Sequence, residues 1–94
     1  MKNQNYKSDY DVIINEIKAL DIKKFVEYNG LKIRPGNFIV CPFHVEKSAS
    51  LKLYEHSFYC FGCGCGGDII NFAMKLNGTD FKETVEKLKE DFYL

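Results

Sequence analysis

Thirteen basic and thirteen acidic side chains in 94 residues cancel to a formal net charge of zero, which excludes a strongly cationic field over the whole protein. No apolar run approaches the roughly 20 residues of a membrane helix, so a membrane partner is not expected. A chain this short holds one small domain and buries too little apolar surface to be comfortably stable unaided, so a further tie is to be looked for.

The opening Met1-Lys2-Asn3-Gln4-Asn5-Tyr6-Lys7 is polar and has no apolar core, so no secretory signal is visible. Residues 1–9 read as a flexible end ahead of one domain over 10–94. Tyr10, Ile13, Ile14 and Ile17 fall at helical spacing, with Ser8 or Asp9 as the cap. Asp21 starts a second helical pattern, with Ile22, Phe25 and Val26 on one face and Gly30 as its stop. The pattern leaves open whether these are two helices or one bent one. Leu31 to Arg34 then reads as strand, followed by a Pro35-Gly36-Asn37 turn and a strand at Phe38-Ile39-Val40.

Ser50 to Tyr54 alternates with period two, Leu51 and Leu53 facing one way and Lys52 and Tyr54 the other. After Glu55-His56-Ser57, the stretch Phe58-Tyr59-Cys60-Phe61 reads as its partner strand. The run Gly62-Cys63-Gly64-Cys65-Gly66-Gly67 reads as a bare turn ending at Asp68, the cap of a helix striped by Ile69, Phe72, Ala73 and Leu76. Asn77-Gly78 closes that helix. Thr79 or Asp80 opens a last one, with Phe81, Val85, Leu88 and Phe92 on one side and Asp80 with Glu83 as a capping box. The predicted architecture is α+β: a small antiparallel ribbon flanked by N- and C-terminal helices.

The tie comes from Cys41-Pro42-Phe43-His44 and Cys60-Phe61-Gly62-Cys63, two pairs with two residues between the members of each and fifteen residues between the pairs. That spacing lets two turn tips grip one tetrahedral metal, with Cys41, His44, Cys60 and Cys63 as ligands; zinc is the reading and iron its main competitor. Two disulfides would need an oxidising compartment, whereas free thiols place the protein in the cytoplasm. Four protein ligands close the metal's shell, which leaves no open position for a catalytic water, and no nucleophile–base spacing or phosphate-cradling loop appears. Cys65 stands outside the set: it is an unused small residue, a substitute for Cys63, or a reactive thiol. His56, in the strand connection, reads as an exposed turn residue rather than a ligand.

The strings Cys41-Pro42-Phe43-His44-Val45-Glu46-Lys47 and Cys60-Phe61-Gly62-Cys63-Gly64-Cys65-Gly66-Gly67-Asp68 closely resemble the zinc-binding domain of bacterial-type, DnaG-like DNA primases, from about Val12 through the last helix. The resemblance implies one structural zinc on Cys41, His44, Cys60 and Cys63. It also implies single-stranded DNA template as partner, with Lys47, Arg34 and Lys52 facing it. A primase polymerase domain or replicative helicase, in cis or in trans, would be a further partner, since no polymerase active site is present here. Ala49 stands where that family usually has proline and Leu51 where it usually has phenylalanine, which removes one possible base-stacking ring.

Stacking on aromatic rings and lysine contacts to phosphate are the physical terms for single-stranded nucleic acid, and Arg34, Phe38, Lys47, Lys52, Tyr54, Tyr59 and Phe61 are the candidates. The bland alternative makes Phe38 and Phe61 core and the lysines ordinary solvated face. A different class of function, a protein-interaction adaptor in a replication complex, would dock through the acidic last helix at Glu83, Glu86, Glu90 and Asp91.

Overall fold

The structure, a computed structural model, describes residues 9–43, 45 and 48–94. His44 and Lys47, and the proposed cap Ser8 with the rest of residues 1–8, lie outside the described residues.

Two separate helices come first. Helix α1 spans Asp9–Lys18 and α2 spans Ile22–Tyr28, with Asp21 between them as the N-cap of α2, its carboxylate accepting from the Lys23 amide at 3.0 Å. Only the lower end of the α1 stripe is fully buried: Ile17 is enclosed, Ile13 and Ile14 are partly covered, and Tyr10 is exposed. Both helices present their apolar face to one core, which Ile22, Phe25 and Val26 enter from α2.

Four strands follow: β1 Phe38–Ile39, β2 Leu51–Leu53, β3 Ser57–Cys60 and β4 Gly66–Asp68, all antiparallel in the order β1-β2-β3-β4. The period-two pattern sends Ile39, Leu51, Leu53, Phe58 and Cys60 inward and leaves Lys52 and Tyr59 on the outer face. Helix α3, Ile69–Asn77, backs this sheet with Ile69, Ile70, Phe72 and Ala73, and α4, Phe81–Asp91, adds Thr84, Val85 and Leu88. Asp68 and Asp80 each form a reciprocal capping box, with Asn71 and Glu83 respectively, and Gly78 ends α3 by donating to the Met74 carbonyl at 2.9 Å. Buried Thr84 meets its one hydroxyl requirement on Thr79 at 2.6 Å.

The sequence pattern and the structure part at three places. Leu31–Arg34 is not a strand: the Leu31 amide donates to Val26 at 3.1 Å, and only Arg34 bridges, to Phe38. Pro35 has no N–H to extend a ladder, and Leu31 and Ile33 alternate because they pack on the core. The glycine run is not bare turn throughout, because Gly66–Asp68 pairs with β3 as a fourth strand. A Cβ on Gly66 would sit 2.8 Å from the Phe58 carbonyl oxygen and 3.0 Å from the Tyr59 ring, so this edge admits only glycine. Phe81, placed on the α4 apolar stripe, is exposed at the start of that helix.

Candidate metal centre and nucleic-acid face

Cys41 follows β1 with one residue between and Cys60 ends β3, so the sheet itself brings Cys41 to the same end as Cys60 and Cys63. Phe43, two residues after Cys41, seats its ring against Phe72 and Phe58 at centroid distances of 5.0 and 5.9 Å, which fixes the first loop to the core. The second loop is closed by backbone: the Cys60 amide donates to Cys65 and the Gly64 amide to Cys60, both at 2.8 Å, while the Phe61 amide donates to Ser50 at 2.9 Å. The result is that the sulfurs of Cys41, Cys60 and Cys63 all lie within 4.8 Å of one another. Cys41 and Cys60 are buried at 2% and 0% exposure, and Cys63 is at the solvent rim.

This donor set fits zinc. A tetrahedral zinc with Zn–S bonds of about 2.3 Å spaces its sulfurs about 3.8 Å apart, inside the limit the three cysteines keep. The electrostatics point the same way. Burial pushes the Cys41 thiol up to about 12 against the pull of the Phe43 amide, and the neighbouring Cys60 and Cys63 sulfurs add to the rise. Burial also opposes charge on Cys60, yet the Ser50 hydroxyl, the amides of Cys63 and Gly62 and the Cys63 thiol outweigh it and bring Cys60 down to about 7. A bound dication would favour the thiolate form of both sulfurs and offset the burial that opposes it.

Metal binding must therefore expel protons, and the sign is fixed. A thiol that is protonated without metal competes with it, so raising the pH raises affinity. At about pH 8 Cys41 still gives up a whole proton; at about pH 6 Cys60, below its value of about 7, must give up most of another. Proton release measured with zinc in weak buffer is expected to be larger at the lower pH, and the affinity to rise more steeply with pH there.

Two neighbours of the cluster carried no sequence signal. The Ser50 hydroxyl lies 3.6 Å from the Cys60 sulfur, and the Lys75 ammonium lies 5.7 Å from the centre of the Phe43 ring, where its charge reaches Cys65. Neither follows a ligand spacing; Lys75 arrives one helical turn after Phe72, on a face only the packing defines. Cys65 itself is not in the trio, but its sulfur is 3.3 Å from that of Cys63. His56 is exposed, its Nδ1 3.1 Å from the Leu20 carbonyl, pinning the β2–β3 turn to the α1–α2 connection.

The outer face of the sheet collects most of the nucleic-acid candidates. Register places Phe38 opposite Lys52, Lys52 opposite Tyr59, and Tyr59 opposite Gly66. The Lys52 ammonium donates to the Gly36 carbonyl at 3.3 Å and sits 4.9 Å over the Phe38 ring and 5.9 Å from that of Tyr54. Tyr59 and Phe61 meet edge to face at 5.0 Å, and Tyr54, Tyr59 and Phe61 are 42%, 41% and 64% exposed. Phe61 is thus not core, and Phe38 lies under Lys52 rather than under the sheet. Arg34 is exposed in the hairpin beside β1. Leu51 is fully buried, so a phenylalanine there would fill core, not stack on a base.

An antiparallel sheet with a cysteine cluster at one end and helices on its inner face defines a zinc-binding ribbon of the α+β class. The chain belongs to the CHC2 zinc finger family of DnaG-type DNA primases, whose pattern matches residues 7–94. It is 36% identical over 89 residues to the DNA primase of Helicobacter pylori, covering 92% of this chain and 16% of that protein. It is 34% identical over 86 residues to the DNA primase of Rickettsia felis, covering 88% of this chain and 14% of that protein. The crystal structure of the zinc-binding and RNA polymerase domains of Aquifex aeolicus primase superposes with a TM-score of 0.71 at 29% identity, covering 94% of this chain and 22% of that one. The chain thus spans only about a seventh of the length of these curated relatives. Among the described residues no helix is long and apolar enough to cross a membrane.

Proposed function

We propose that this domain uses zinc, held by Cys41, Cys60 and Cys63 with His44 as the fourth ligand, to stiffen a sheet whose outer face binds the single-stranded template of a DNA primase. Bound zinc would supply structural cross-linking of the two loops and no catalysis, because four protein donors leave it no open position. Three thiolates on a dication leave one negative charge at the centre, and Lys75 stands beside the first loop to offset it.

The observation that carries the reading is the exposed set of Tyr59 on β3, opposite Lys52, with Tyr54 and Phe61 just past the ends of β2 and β3. Stacking on such rings contributes about 1–3 kcal/mol per base and does not depend on which base is present. Lysine–phosphate attraction adds a salt-sensitive part, to which Arg34 and Lys47 would contribute. The polymerase domain, or a helicase, would be supplied in cis or in trans, and residues 10–94 would be the template-holding unit. The acidic adaptor surface has less to recommend it: Glu83 is used in the α4 capping box, and Asp91 pairs with Lys87 at 3.6 Å.

Fluorescence anisotropy with a labelled single-stranded oligonucleotide at low and raised salt tests the proposal. Binding is expected to weaken with salt, and Tyr59→Ala or Phe61→Ala to raise Kd about 5- to 150-fold. Absence of binding at tens of micromolar protein, or equal binding by the Tyr59→Ala, Phe61→Ala double variant, would overturn it.

A further inference from the structure

We propose that Cys63 and Cys65 form an oxidisable pair, in which a hydroperoxide oxidises the exposed Cys63 sulfur and Cys65 closes a disulfide onto it, withdrawing one donor from the metal centre. The clause about the metal rests on Cys63 being a ligand, as proposed above. The pairing itself rests on geometry.

The two sulfurs are 3.3 Å apart, already in contact. Gly64 between them has φ 76, a left-handed conformation that folds the chain tightly enough to turn both side chains to one side. The same turn is locked by the Cys60–Cys65 and Gly64–Cys60 backbone hydrogen bonds, so the approach is built into the loop and does not wait on a rare excursion. Cys65 is partly buried against the core and lies outside the trio of mutually close sulfurs, so it is a spare thiol beside a ligand rather than a fifth donor. Solvent reaches Cys63, whereas Cys41 and Cys60 are enclosed. An accessible sulfur with a second thiol in contact is the arrangement that converts oxidation into a disulfide.

The chemistry balances. The Cys63 sulfur attacks one peroxide oxygen, the O–O bond breaks, and the departing hydroxide, or the alkoxide of an organic hydroperoxide, takes a proton to become water or an alcohol, leaving Cys63 as sulfenic acid. The Cys65 sulfur then attacks the Cys63 sulfur; the S–S bond forms, the S–O bond breaks, and hydroxide leaves with the Cys65 proton as water. Two thiols lose two electrons and the peroxide gains them.

The test treats the zinc-loaded chain with hydrogen peroxide, maps disulfides by mass spectrometry of a non-reducing digest, and follows released zinc with a chelating dye. The expected result is a Cys63–Cys65 link lighter by two hydrogens, zinc released in proportion to it, and recovery of both with a thiol reductant and added zinc. Cys65→Ser should bind zinc like the parent beforehand, yet after peroxide carry sulfinic acid at Cys63 that the reductant does not reverse. A link between any other cysteines, or full recovery of the Cys65→Ser variant, overturns the pair. If the purified parent holds no zinc but still forms the Cys63–Cys65 link, the pair stands and the ligand reading falls.

Discussion

Stripping zinc with a chelator, or replacing Cys60 by serine, is expected to melt the sheet end of this domain at room temperature. Structural zinc contributes on the order of 10 kcal/mol or more to the folding of small domains. The whole net stability of a chain this length is only about 5–14 kcal/mol. Metal binding is therefore comparable to everything else combined. The loops that would hold the metal carry few alternatives: β1 has two residues and β4 is largely glycine, so without the cross-link the ribbon loses what fixes its strand ends. The region from Cys41 to Gly67 should go first. Helices α1, α3 and α4 pack on one another without using the loops and should keep part of their helicity. Circular dichroism melts with and without chelator, together with amide dispersion in an NMR spectrum, measure the effect. Unchanged melting and unchanged dispersion after verified removal of zinc would sink the expectation. Cys65→Ser, which removes none of the four proposed ligands, is the control expected to behave like the parent.

How much of this was legible before the structure follows from what each residue type is constrained by. Metal coordination restricts ligand intervals, so Cys41, Cys60 and Cys63 stood out by spacing, and their sulfurs do converge; His44 lies outside the described residues. Capping is equally local, and Asp21, Asp68 and Asp80 cap the helices they were expected to cap. Side-chain alternation marked β2 for the same reason, and β3 was read as its returning partner. The fourth strand left no such trace, because Gly66 and Gly67 pair through backbone alone and the reasons for glycine are the Phe58 carbonyl and Tyr59 ring against Gly66 and the Asn71 side chain against Gly67. Leu31–Arg34 misled in the opposite sense: its alternation records packing against the core without a partner strand. The positions of Ser50, Lys75 and Cys65 around the metal loops depend on how α3 crosses the sheet and how the Gly64 turn closes. Nothing in a linear spacing encodes either.

Phe72→Ala should cost about 3–5 kcal/mol, the range for emptying a fully buried aromatic site, and lower Tm by more than about 10 °C. Phe72 is wholly enclosed and its ring meets Phe25 at 5.9 Å and both Phe43 and Phe58 at 5.0 Å, so one side chain joins α2, the sheet and the first cysteine loop. The loss should therefore appear in zinc affinity as well as in stability, because Phe43 would lose its seat between Cys41 and the next proposed ligand. Leu88→Ala makes the comparison. It removes a buried side chain from α4, in the helical part expected to persist without metal, and so weighs on the metal-free and metal-bound forms alike. A competition titration against a zinc chelator should find affinity falling much further in Phe72→Ala than in Leu88→Ala, although both lower Tm. Equal losses would mean that the whole domain folds with the metal as one unit, and that Phe72 has no special part in coupling the core to the loop.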